Sequence, residues 1–158
     1  MNLKVRRVVT GHDAQGRSKV SIDQLSDKVI SRRPGHASTV IWTTDAVPAD
    51  NNDPSDGADR SVATADPEGT VFRVVRYDPG VAGRMHRTDS IDYAVVLSGE
   101  IQMELDLDTV TLRAGDVVVQ RGTVHNWINR GAEPCLIAFV LVAARPVMLT
   151  GQPLPAVG

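Results

Sequence analysis

The stretch PGVAGRMHRTDSIDYAVVLSG, residues 79–99, decides how this chain is read. Within it His86, Thr88 and Asp92 lie in a run of strand-forming residues, followed by Ala94 and Val96 at the same two-residue spacing. Side chains two apart on a strand project to one face. An unbroken strand here turns His86, Thr88, Asp92, Ala94 and Val96 inward, with Tyr93, Val95 and Leu97 opposite. One histidine on such a face is ordinarily a buried, hydrogen-bonded residue. His86 gains interest because a second imidazole, His125, follows in TVHNWIN, where His125, Trp127 and Asn129 also share a face.

Working outward, the same strand signal recurs. In EIQMELD, residues 100–106, Ile101, Met103 and Leu105 alternate with Glu100, Gln102, Glu104 and Asp106, the pattern of a strand with one buried and one wet face. LSGE before it predicts a hairpin turn at Ser98-Gly99. LDTVTLRAGDVVVQRG after it predicts a strand, a turn at RAGD and a further strand, and CLIAFVLVAA, residues 135–144, predicts another. No stretch keeps a helical apolar period. The fold class is all-β, an antiparallel succession that must close into a barrel or sandwich to protect its edges. Upstream, RRVVTGHDAQGRSKVSID reads as two short strands around a polar turn, and STVIWTTD as one more. From Asp45 to Glu68 seven carboxylates stand against the single basic residue Arg60, which marks a solvated surface loop. Their spacing does not fit an EF-hand calcium loop. The chain therefore divides into a strand-rich arm at 1–45, placed on the barrel or on a partner subunit, an acidic surface loop at 46–69, a barrel at 70–145 and a tail at 146–158.

Composition narrows the function classes. The 158 residues are 42% hydrophobic with a formal charge of -2 and no basic stripe, so nucleic acid is not an expected partner. The longest apolar run is too short to cross a bilayer, and no apolar segment follows the basic start MNLKVRRVVT; no membrane partner and a cytoplasmic location are the expectation. Cys135, the one cysteine, lies in an apolar strand and reads as a small buried hydrophobe.

Two spaced motifs carry a resemblance. Gly80, His86, Thr88, Asp92 and Gly99 stand at the intervals of the first motif of the cupin superfamily, and Gly115, Asp116, Gly122, His125 and Asn129 resemble its second motif, fifteen residues on. The similarity spans about residues 70–144 and implies a cupin-type antiparallel β-barrel, a double-stranded β-helix of jelly-roll kind, here with an N-terminal strand extension and usually dimeric. The metal motif is altered. Thr88 stands where the family has its second histidine and Asp92 where it has glutamate, while Arg121 stands near the usual proline.

What the resemblance implies is metal ligation by His86 and His125, with Asp92 either a third ligand or a carboxylate orienting His86, and none from Thr88. Two imidazoles and a carboxylate would leave open positions on iron, zinc, manganese or nickel. Such a site suits a small enzyme acting on a compact oxygenated molecule, as a lyase, dehydratase, isomerase or decarboxylase; the alternatives are a non-haem iron dioxygenase or a metal-free small-molecule binder. Thr88 and Asp92 are the catalytic candidates. Trp127, Arg121 and Asn129 are the substrate-binding ones, and Thr88 fits a plain strand residue equally well. Trp42 is expected in the core or an interface, Arg84 and Arg87 on exposed loops, and His12 and His36 in surface turns. A homodimer is expected, the N-terminal strands adding edges to a partner's sheet.

Overall fold

The computed structural model describes residues 3–155 and 157. Among them the regular elements are strands: β1 (Arg6–His12), β2 (Ser18–Leu25), β3 (Val29–Arg33), β4 (His36–Thr44), β5 (Thr70–Tyr77), β6 (Ser90–Ser98), β7 (Glu100–Glu104), β8 (Thr109–Arg113), β9 (Val117–Arg121), β10 (Asn126–Ile128), β11 (Cys135–Ala143), β12 (Met148–Leu149) and β13 (Gln152–Pro153). The six-stranded sheet β3-β4-β5-β11-β6-β9 packs against the three-stranded sheet β10-β7-β8, and β1-β2 and β12-β13 form separate antiparallel pairs. The all-β, cupin-type architecture expected from the sequence is present. No helix among the described residues is long and apolar enough to cross a membrane.

The expected hairpin at Ser98-Gly99 is not a hairpin. β6 bonds β9 and β11, whereas β7 bonds β8 and β10, so the turn is a corner at which the chain passes between walls. The turn between β8 and β9 is a second corner. The physical reason is burial: Ala94 and Val96 from one wall and Ile101 and Met103 from the other all pack into one core. Gly99 makes the corner possible. Its φ is 78°, and a Cβ there would lie 2.6 Å from the Pro134 carbonyl.

β11 reads as a continuous apolar run because both its faces are covered. Ile137, Phe139 and Leu141 face the barrel core, while Leu136 and Ala138 meet a second cluster of Leu3, Ala37, Ile41 and Val74 behind the sheet. The N-terminal segment thus covers half of the sheet's back. The other half, over β6 and β9, is bare: Tyr93, Val117 and Val119 are 49%, 71% and 60% exposed.

The acidic segment has no regular structure but is anchored. The Arg7 guanidinium, buried in the second layer, pairs with both oxygens of Asp56 and holds that carboxyl down to about 2. Thr43 Oγ1 donates to the Gly57 carbonyl at 2.6 Å, Trp42 is half-buried against Gly57, and Val62 and Ala65 pack on the barrel core. β3 was not visible as a strand in the sequence, and β4 begins at His36, two residues before the expected start.

Candidate functional site

His86 does not belong to a strand continuous with Asp92, since β6 begins at Ser90. It is instead placed by an isolated antiparallel bridge to His125. Each backbone amide donates to the other's carbonyl at 3.0 Å. Residues directly opposed in this way point their side chains to one face. The two imidazoles consequently lie side by side, with ring centroids 4.1 Å apart and planes at 51°.

Each ring is also turned by a carbonyl of its own segment. His86 Nδ1 is 3.0 Å from the Arg84 carbonyl and His125 Nδ1 is 3.0 Å from that of Thr123. A carbonyl only accepts, so the tautomer that makes these bonds carries its proton on Nδ1 and keeps the Nε2 lone pair. Burial first, then the neighbouring His86, lowers the His125 pKa to about 4; burial likewise lowers that of His86. Both rings are neutral at pH 7. The buried Gln120 carboxamide contacts His125 Nδ1 and donates to the Thr123 carbonyl at 3.2 Å.

The pair lines a cavity that opens to solvent. Trp127, Phe139 and Leu141 form apolar wall, with Trp127 edge-on to His125 at 5.9 Å and edge-on to Phe139 at 5.5 Å. Asp92 lines the same cavity. It accepts from Ser90 Oγ at 2.5 Å, Ser90 Oγ stands 2.8 Å from Thr88 Oγ1, and burial raises the Asp92 pKa. Thr88 is not in the lining, and one hydroxyl, that of Ser90, stands between it and Asp92.

Two expected substrate contacts are absent from the lining. On β9 Gln120 is buried, so its neighbour Arg121 turns outward and is exposed. Asn129 is fully buried but spent on a turn: its Nδ2 donates to the Tyr77 and Glu133 carbonyls at 2.9 and 2.8 Å, and its Oδ1 accepts from the Gly131 amide at 2.9 Å. Arg87 is not an exposed loop residue either. It is 3% exposed, with its guanidinium on the Leu154 and Pro155 carbonyls of the tail and on Asp89.

His36 and Arg73 line the cavity, although neither was among the expected site residues. For Arg73 the signal was available, because Val71, Arg73, Val75 and Tyr77 alternate on one face and the other three are buried core. His36 had been placed in a surface turn; β4 carries it inward instead, and its Nδ1 is buried without a partner. Burial, then Arg33 and Arg73, lower its pKa to about 4. A folded-state pKa below the ordinary 6.5 means that the unfolded chain takes the proton first. The stability His36 contributes is complete above pH 6.5 and is lost as pH falls toward 4. Melting temperatures at pH 7.0, 5.5 and 4.5 should fall less steeply in His36→Asn than in the parent; equal slopes would refute this.

The Cupin domain family model matches residues 73–142. The cupin-domain-containing oxidoreductase fogC of Aspergillus ruber is 33% identical over 157 residues, covering 94% of this chain and 77% of that protein. The chain belongs to the cupin family. A second relative of this cupin, phomopsin biosynthesis cluster protein D of Diaporthe leptostromiformis, is 40% identical over 92% of the chain and 82% of its own length. The Schizosaccharomyces pombe Cnp3 cupin domain superposes with a TM-score of 0.55 at 14% identity, covering 89% and 88% of the two chains, a likeness of fold alone.

The donor set can be tested against a metal. Two neutral imidazoles, each with Nδ1 held by a carbonyl and Nε2 open, meet the demand of a divalent first-row ion for oriented nitrogen donors. Among the described residues no three His, Cys, Asp or Glu side chains form a group that could hold a metal. The fit therefore extends to two protein ligands, His86 and His125, with Asp92 in the same cavity but not placed as a third.

Proposed function

We propose that this cupin is an enzyme that transforms one compact oxygenated organic molecule at the His86–His125 pair, with a divalent metal ion held by those two imidazoles. The observation that carries the reading is the Nδ1-to-carbonyl bond on both rings, which directs two unprotonated nitrogens to one cavity. When bound, an ion at two nitrogen ligands supplies Lewis-acid or redox chemistry at its open positions. The chain's own groups do the rest. The aromatic wall of Trp127 and Phe139 excludes water and seats the apolar part of the molecule. Asp92, whose carboxyl is more basic than usual, takes or returns a proton, and the Ser90 and Thr88 hydroxyls hold its orientation. The relatives' names, cupin-domain-containing oxidoreductases and biosynthesis cluster proteins, weigh toward the oxidative branch of this chemistry over the lyase or isomerase branch.

Elemental analysis after purification without chelators, followed by cobalt(II) titration read by visible absorption, tests the reading. One bound ion per chain with nitrogen-ligand bands is expected. A chain that takes up no ion is instead the metal-free binder, a second reading favoured by the lack of a third donor.

The bare back of the large sheet supports a homodimer. Tyr93, Val95, Val117 and Val119 form one apolar patch next to the edge strand β9, and a second copy of the chain fits it by self-complementarity. Val119→Lys should shift the sedimentation coefficient from dimer to monomer; an unchanged value, or a monomeric parent, would exclude this face.

A further inference from the structure

Arg73 is a half-buried cation that no carboxylate of the fold hydrogen-bonds; Asp92 of the same cavity attracts it without forming an ion pair with it. It lies on the inward face of β5, directly opposite Phe139 of β11, and lines the cavity. Its Nη2 donates to the Ala63 and Thr64 carbonyls at 2.7 and 2.9 Å. Its Nε is cut off from solvent and has no hydrogen-bond partner, and none of the ion pairs among the described residues includes it. The lining holds Arg32, Arg33 and Arg84 besides, against the single carboxylate Asp92, which accepts from Ser90. With the imidazoles neutral, the cavity carries a clear excess of positive charge.

A guanidinium taken out of water with an unmet N–H is unfavourable unless an acceptor completes it, and a carboxylate is the acceptor that best matches its planar donors. The two main-chain acceptors of Arg73 fix the head group in place beforehand. We infer that the cavity binds the carboxylate of a small organic acid, with Arg73 Nε as the buried donor and Phe139 and Leu141 against the acid's apolar body. This rests on the reading of the cavity as the reaction site and narrows the substrate to an anion.

The test uses benzoate and its neutral isostere benzamide, with binding read by calorimetry on the full chain before and after chelator treatment. Benzoate should bind at least about tenfold tighter than benzamide, the preference should survive chelation, and Arg73→Gln should remove it. Arg73→Lys, which keeps the charge and loses the fork, should retain part of it. Equal binding of the two probes, or binding of neither at millimolar concentration, overturns the inference. So does a benzoate preference that vanishes on chelation and is indifferent to Arg73→Gln, because the carboxylate then goes to the metal and the metal reading stands. A benzoate preference that depends on Arg73 in a chain that takes up no cobalt supports the inference while removing the metal reading.

Discussion

His125→Ala is expected to abolish metal binding while leaving the barrel intact. Removal of an outer partner of a metal ligand typically lowers affinity ~10–100-fold, and loss of one of two ligands should exceed that. The fold should survive, because the bridge to His86 is made by main-chain atoms that alanine retains, and the surrounding core is aliphatic and aromatic. Far-ultraviolet circular dichroism and cobalt titration on one preparation check both halves. Full occupancy in the alanine variant would remove the pair as a metal centre. Asp92→Asn separates the remaining roles: a carboxylate outside the ligand set should leave cobalt affinity within the ~10–100-fold range of outer partners while depressing turnover.

The largest effect on stability is expected at Asp56→Ala. Arg7 is only 5% exposed, so the variant leaves a buried guanidinium without its counter-ion. Breaking a buried pair in this way typically costs about 3–5 kcal/mol; with the Asp56 side chain 23% exposed, the lower end applies here. In a domain of this size about 3 kcal/mol lowers the melting temperature by roughly 6–12 °C. Arg6–Asp23 provides the contrast. Its side chains are 67% and 46% exposed, and Asp23→Ala should leave the melting temperature nearly unchanged. A drop for Asp56→Ala no larger than for Asp23→Ala would show that the loop is not anchored there.

The all-β class was legible because period-two alternation survives in most strands, and the two histidines because each stands in a segment that resembles a cupin motif, although His125 comes one residue earlier after Gly115 than the common pattern has it. The pairing of the strands was not. Alternation records which face of a strand is wet but not which strand lies beside it, so Ser98-Gly99 reads as a hairpin although its flanking strands join opposite walls. Arg121 was misplaced by one residue's worth of alternation: Gln120 faces the interior and Arg121 the solvent. Asn129 stood at a motif position, yet what that position requires is three hydrogen bonds to close a turn. Arg73 could have been recognised as a charge on an apolar face. His36 could not, because the residues before it carry turn signals and only pairing with β3 and β5 extends β4 back to include it.

The main-chain bridge between His86 and His125 makes the centre depend on chain length more than on the identity of its neighbours. Substitutions at Gly122, Thr123 or Val124 leave the count intact. An insertion or deletion of one residue between β9 and His125 would put Val124 or Asn126 at the bridged position and turn the imidazole away from the site, removing one of its two nitrogen donors. Among natural variants of this chain, changes of composition in that segment should therefore be common and changes of length rare.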